Sequence, residues 1–420
     1  MASHKKNNKS ANNKARHKNR AGKPRQQKKA AAPASVKLQP NASVVANSVS
    51  SPPLKQTPES AKPNKLIGLN IYRALAIFMM MAAHSIRIQS NFPELAQQRH
   101  GATWFDHFLL LFIDIEPIIS AMFLFIAGFS LTLSFFKLKD STQSRRWLKK
   151  IAQRATGLYG IAIIFFIAEY GLQWPDLLVS AGVLGTIGLS ILLSAVLLVY
   201  GHGYKGLAAA TVICLLVTYM LESEQWQVTG LNAGAGGHLP LVVMGFIGTL
   251  YGICYRHYGD NGLVAGLAVA AAFAILTMVI DYPNVFVYQS QFHWYAAAPE
   301  QQFIQSLLHL FSSEPAPNVR VAGFWNHASV FPLRYTVIIV LLLILAIKLI
   351  RQSSHRAMIF LNALGSYGLT IYVFHLVILA GLEVTGIKPT TGWQTLLLIF
   401  ALMLAGYRLI RNRFHIDPDT

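Results

Sequence analysis

From residue 66 onward, apolar stretches alternate with short polar connections. Each stretch is near the ~20 residues that a helix needs to cross a bilayer. The pattern predicts ten helices, at about 66–88, 109–136, 155–173, 177–200, 204–222, 238–256, 261–281, 331–350, 360–382 and 393–411. The expected fold class is therefore all-α, a polytopic integral membrane protein. Residues 1–65 break the pattern: they are rich in Lys, Asn, Ala, Gln, Ser and Pro and contain no aromatic side chain. Such a segment buries too little apolar area to offset its ordering entropy, so disorder is expected there. The chain divides into a tail (1–65), a membrane domain (66–411) and a short C-terminal end (412–420).

Composition sharpens this division. Charged residues make up only 13% of the chain and hydrophobic ones 53%, against a charged share of about 25% in soluble domains. The net charge of +19 would suggest a nucleic-acid partner until it is located. Residues 1–65 hold 15 Lys and Arg against the single acid Glu59, and the body holds 21 against 16. The body's basic residues are also sorted. With the N-terminus inside, fifteen fall on the inner connections and the C-terminal end: Lys137, Lys139, Arg145, Arg146, Lys149, Lys150, Arg154, Lys205, Arg256, Lys348, Arg351, Arg356, Arg408, Arg411 and Arg413. Only Arg87, Arg99, Arg320, Arg334 and Lys388 fall outside. The positive-inside rule then places both termini in the cytoplasm. The tail lacks the apolar core of a signal peptide and is too Lys-rich for a transit helix. It is read as a solvated cytoplasmic extension, with contact to anionic lipid as the alternative. Nucleic acid is not the expected partner.

Two outer segments, 89–108 and 282–330, are long enough to form a lid or a binding surface. The second carries His293, Trp294, Trp325, Asn326 and His327. Aromatics beside polar groups suit a sugar-like ligand, and they equally suit anchoring at the membrane interface. Cys214 and Cys254 fall within spans and read as packing residues rather than as a disulfide. No metal-ligand spacing, phosphate loop or dinucleotide fingerprint is present, so neither a metal nor a resident cofactor is expected.

Ionisable side chains inside spans are costly and mark function. Arg73 and His84 lie eleven residues apart on the first helix. That separation is about 20° past three full turns and about 16 Å along the axis, so both project from one face. In the alternating topology His84 ends the first span, Asp114 and Glu116 begin the second, and Glu169 lies near the outer end of the third. His375 sits in the ninth span, with Tyr372 one turn below it and Glu383 at its exit. Imidazoles and carboxylates thus gather at one depth, in the outer half of the bilayer. A carboxylate beside an imidazole raises its basicity, as a general base requires.

These residues also carry a resemblance. Leu69-Asn70-Ile71-Tyr72-Arg73-Ala74-Leu75-Ala76-Ile77, with His84 eleven residues after Arg73, resembles the first-helix signature of the transmembrane acyltransferase superfamily. Phe123 to Leu131, with its Gly128-Phe129-Ser130, looks like the second-helix motif. Val183 to Gly188, Leu239-Pro240 with Gly245 to Gly252, and Leu364 to His375 are similar to later blocks, in the same order. The nearest branch is that of heparan-alpha-glucosaminide N-acetyltransferase catalytic-domain-like proteins, with the acyltransferase-3 family a close relative. The chain departs from the pattern in three places. Asn70 or Ile71 replaces the acid usual before the arginine, Ala74 replaces a glycine, and Gly185 stands where the third block has a histidine.

The resemblance implies transfer of an acyl group, chiefly acetyl from acetyl-CoA, to an extracytoplasmic hydroxyl or amine of a saccharide or glycolipid. It also implies a multi-pass protein of the bacterial inner membrane, in contact with membrane lipid. In that reading His84 is the general base or the acylated nucleophile, and Glu116 or Asp114 orients it. Arg73, Arg145 and Arg146 face the donor, while His375, Tyr372, Trp294 and Trp325 face the acceptor. The alternative is a secondary transporter or flippase using the buried Arg, His and Glu as relay and substrate site. The sequence shows no evident inverted repeat to favour it.

Overall fold

The computed structural model of the 420-residue chain describes residues 63–89, 103–138, 140–172, 174, 176–179, 181–223, 228, 230, 231, 238–280, 331–352 and 356–414. The tail, Trp294 and Trp325 lie outside the described residues. Among the described residues the only regular structure is helical. The twelve principal helices are α1 (Pro63–His84), α2 (Trp104–Asp114), α3 (Glu116–Phe135), α4 (Ser141–Tyr170), α5 (Gly182–Tyr200), α6 (Tyr204–Ser223), α7 (His238–Tyr258), α8 (Asp260–Ile280), α9 (Phe331–Gln352), α10 (Arg356–Ser366), α11 (Gly368–Thr385) and α12 (Gly392–Phe414). Nine described helical segments are long and apolar enough to cross a membrane. The remaining expected span, 331–350, is the 22-residue helix α9. The protein is an all-α, polytopic membrane protein.

Three expected boundaries change. The span read at 109–136 is two helices, broken at Ile115. Pro117 explains the break, because it lacks the N–H that would continue the ladder and its ring crowds the carbonyl four residues back. The span read at 360–382 is likewise divided at Tyr367, between Gly365 and Gly368. The basic stretch read as a loop, 137–154, is mostly helix: α4 starts at Ser141, where the Asp140 side chain accepts from the Gln143 N–H at 2.6 Å. Aspartate at that position caps an orphan helix donor.

Burial separates inner from outer helices. α1, α3 and α7 are mostly buried, whereas α4, α6, α8, α11 and α12 turn most of their residues outward. The outward faces are apolar, with Ile164, Val212, Ile213, Leu216, Phe273, Ile275, Leu276 and Leu397 exposed. In a soluble protein such surface would be a liability, whereas lipid is its natural solvent. The inner helices pack through small residues. A Cβ added to Gly128 on α3 would collide with the Gly245 carbonyl of α7, and one on Gly248 with the Phe125 carbonyl of α3. Close backbone approach of this kind is how membrane helices gain contact without a hydrophobic driving force. The main core, with Tyr72, Phe125, Phe129, Tyr335 and Ile339, fills the space among α1, α3, α7 and α9. α1 lies against α3, α9, α10 and α11, so one helix touches both halves of the bundle.

Candidate active site

α1 ends at His84, and the chain continues as a π-helical turn, Ser85–Gln89. Turns of this widened type occur at functional sites. Here the turn carries Arg87, whose Nη1 donates to Glu116 Oε2 at 2.8 Å. Glu116 is the first residue of α3, where its negative charge meets the positive end of the helix dipole. It is 5% exposed, and the Arg87 guanidinium supplies the opposite charge that a buried carboxylate needs. Glu116 Oε1 lies 3.8 Å from His84 Nε2.

The other face of the His84 ring meets α11. His84 Nδ1 and His375 Nε2 are 3.1 Å apart, and the rings meet edge to edge and nearly parallel, with centroids 5.3 Å apart and an interplanar angle of 18°. His375 is fully buried, and its Nδ1 lies 3.2 Å from the Ile371 carbonyl oxygen. The Tyr372 ring packs by its edge against both imidazoles. Two buried hydroxyls flank the group in sequence, Ser85 after His84 and Ser120 one turn after Glu116. Among the described residues neither has a hydrogen-bond partner.

Eleven residues back along α1, Arg73 holds a different cluster. Its Nη1 donates to Asn70 Oδ1 at 2.9 Å and its Nη2 to Ser130 Oγ of α3 at 2.5 Å. Asn70 Nδ2 in turn donates to Asn362 Oδ1 and Ser366 Oγ of α10, both at 2.9 Å. α10 can approach this closely because Gly365 lies against the Asn70 carbonyl, where a Cβ would collide. Among the described residues no carboxylate lies within ion-pair distance of Arg73. Asn70 thus gives Arg73 a neutral partner, and among the described residues the guanidinium charge meets no carboxylate.

The fold thus brings together His84, Glu116, His375 and Tyr372, and it sets both Arg73 and His84 against α3, as their shared helix face requires. Asp114 closes α2, but its side chain, like that of Glu169, lies outside the described residues. Arg145 and Arg146 are exposed on the first turns of α4 and belong to neither cluster. Cys214 and Cys254 are free thiols. Among the described residues no group of His, Cys, Asp or Glu side chains is placed to hold a metal ion. The sequence reading treated Arg87 only as an outer basic residue. Its position three residues after His84, on the same side of the helix, was the signal that it belongs to the site. Asn362 is the other omission: it has no charge, and only the close approach of α10 makes it a partner of Asn70.

A comparison with curated proteins gives no match. Residues 66–250 match the family model described as heparan-alpha-glucosaminide N-acetyltransferase, catalytic. That stretch contains Arg73, His84, Arg87, Glu116 and Ser130, while Tyr372 and His375 lie beyond it. The resemblance carried by the Arg73–His84 spacing and the Gly128-Phe129-Ser130 motif is therefore to the catalytic domain of a membrane acetyltransferase, matched across the part of the chain that supplies both ends of the α1–α3 seam.

Proposed function

We propose that this protein transfers an acetyl group from cytoplasmic acetyl-CoA to an amine or hydroxyl of a saccharide or glycolipid on the far side of the bacterial cytoplasmic membrane. The observation that carries the reading is the buried contact of His84 with both Glu116 and His375 at one end of α1. The matched family model supports acetyl transfer as the chemistry. The sorting of basic residues supports a cytoplasmic position for the Arg73 end.

In this reading the acceptor sits at His84 Nε2, which takes its proton as the acceptor's lone pair attacks the thioester carbonyl. The carbon–sulfur bond then breaks, and the departing CoA thiolate takes the proton back from the imidazolium. Arg73, whose partners among the described residues are neutral, is available to the anionic donor, and Arg145 and Arg146 add positive charge on the same cytoplasmic side. Tyr372 and His375 wall the acceptor position. Trp294 and Trp325 belong to the outer segment that would cover it, and Asp114 is a second carboxylate beside Glu116 in the sequence.

The 3.8 Å gap between His84 Nε2 and Glu116 Oε1 bears on the acceptor. A single donor atom about 2.8 Å from each would bridge them with ordinary hydrogen-bond lengths. An amine offers two N–H groups to two such acceptors, whereas a hydroxyl offers one. Amine acceptors are favoured on this ground.

Purified protein in nanodiscs provides the test. Acetyl-CoA should raise the melting temperature and be turned over with an amino-sugar acceptor, and His84→Ala should lower turnover by about 10²–10⁴-fold. Full activity in the His84→Ala variant would remove His84 from the chemistry, and no response to acetyl-CoA would favour transport. Rapid quenching with labelled donor alone separates direct transfer from an acyl-histidine intermediate, because only the second labels the protein.

A further inference from the structure

A general base works only if the nitrogen facing the acceptor is bare. His84 has two ring nitrogens, and a free imidazole would distribute its proton between them. The partners of His375 remove that freedom. The Ile371 carbonyl can only accept, so His375 Nδ1, 3.2 Å away, carries a hydrogen. A neutral His375 then has a bare Nε2. His84 Nδ1, 3.1 Å from that nitrogen, must donate to it. The remaining nitrogen of His84, Nε2, is the unprotonated one, and it points toward Glu116. A backbone carbonyl on α11 thus sets, through two rings, which nitrogen of a residue on α1 is basic.

We infer that His375 is a positioning residue that holds His84 in its Nδ1-protonated form and so keeps Nε2 free to take the acceptor's proton. The inference rests on the proposed role of His84 as base, and it assigns to His375 a task other than contact with the acceptor. Packing serves the same end. The two rings lie nearly parallel and meet edge to edge, and Tyr372 packs at a steep angle against both, so the His84 ring cannot flip without displacing a fully buried neighbour. When Nε2 takes the proton, the Nδ1 hydrogen stays bonded to His375 and the new positive charge faces the Glu116 carboxylate. Arg87, the nearby cation, stays paired to the other oxygen of that carboxylate.

The test uses the full chain in nanodiscs with ¹⁵N-labelled histidine, His84 being assigned by its loss in His84→Asn. Wild-type His84 should show a protonated Nδ1 and a bare Nε2. In His375→Leu, which cannot accept a hydrogen bond, the His84 signal should move toward the other tautomer, and kcat should fall on the order of 10²-fold. KM for acetyl-CoA should stay within about twofold, because donor contacts are untouched. His375→Gln, whose amide oxygen can accept from Nδ1, should restore the tautomer and most of kcat. A purely structural histidine would not distinguish Gln from Leu in this way. Wild-type His84 protonated at Nε2 would overturn the inference, as would a His375→Leu variant with the wild-type tautomer. Should His375→Leu fail to fold, the wild-type and His375→Gln spectra still decide. Absence of acyl transfer in the wild type would instead count against the proposed function and leave the tautomer result standing.

Discussion

The two ends of the seam between α1 and α3 are built from opposite materials. At the His84 end every charge faces another ionisable group: Arg87 pairs with Glu116, Glu116 faces His84, and His84 shares a hydrogen bond with His375. At the Arg73 end the cation donates to Asn70 and Ser130, Asn70 is held in turn by Asn362 and Ser366, and among the described residues the cation meets no carboxylate. Hydrogen bonds donated to neutral groups fix the direction of the guanidinium without cancelling its charge. In a low-dielectric interior that charge remains available to an incoming anion, whereas the paired end has little attraction left over but several sites between which a proton can move. In the proposed function one helix face thus carries a proton-handling end and an anion-attracting end about 16 Å apart.

The comparison fails most visibly if both ends do the same thing. His84→Ala should lower kcat by about 10²–10⁴-fold while leaving the equilibrium affinity for acetyl-CoA unchanged. Arg73→Gln should do the reverse. A lost charged hydrogen bond is worth about 1.5–3 kcal/mol, so donor affinity should fall about 10- to 100-fold. Isothermal titration of both variants with acetyl-CoA, read beside their turnover, checks the division. Equal loss of affinity in the two would dissolve it.

A sharper version converts one end toward the other. Asn70→Asp places a carboxylate where Arg73 Nη1 now donates to an amide oxygen at 2.9 Å. The new ion pair should neutralise Arg73 and weaken donor binding about tenfold, with the fold retained because the side chains are nearly the same shape. The change also removes both donations from Asn70 Nδ2, so the Asn362 amide and the Ser366 hydroxyl must turn to donate to the carboxylate. With that exchange made, thermal stability should hold as affinity falls. That opposition would show that the uncompensated charge is there for a ligand rather than for the fold.

Much of this was legible in the sequence, for identifiable reasons. Helical periodicity put Arg73 and His84 on one face, and both do contact α3. Alternation of spans put His84, Glu116 and His375 at one depth, and the three do meet. Periodicity carries no information about breaks inside an apolar run, so the interruptions at Ile115 and Tyr367 were read through. Pro117 and the Gly365–Gly368 pair were the local signals for them. It also says nothing of which neutral residue will face a charge. Asn362 became a partner of Asn70 only because Gly365 lets α10 come close. Arg87 was counted as a topological marker because a cation at a helix end is ordinarily solvated, and its pairing depends on the π-helical turn that follows His84.

Within the His84 end, Glu116 and Arg87 should act as one unit. Glu116→Gln removes the carboxylate that faces the imidazolium, and Arg87→Gln releases the carboxylate from its fixed position. Each should lower kcat about tenfold. Because the second change has nothing left to disturb once the first is made, the double variant should be little worse than Glu116→Gln alone. Independent losses that multiply in the double variant would mean that Arg87 acts on the substrate directly and not through Glu116.

The smallest expected effect concerns Arg145 and Arg146, which share the sign of Arg73 but not its surroundings. Both are exposed on the first turns of α4, where water and salt screen them and where each side chain gives up rotamer freedom on engaging a ligand. Replacing both with Gln should raise KM for acetyl-CoA no more than about threefold, and this difference should vanish near 1 M salt, where the screening length falls to about 3 Å. The penalty for Arg73→Gln should persist at that ionic strength, because a charge held between α1 and α3 is poorly reached by mobile ions. Titrating salt across the two variants therefore separates electrostatic recruitment at the surface from binding within the bundle. A double Arg145/Arg146 variant whose loss matched that of Arg73→Gln, and survived high salt, would move the donor site out of the seam and onto α4.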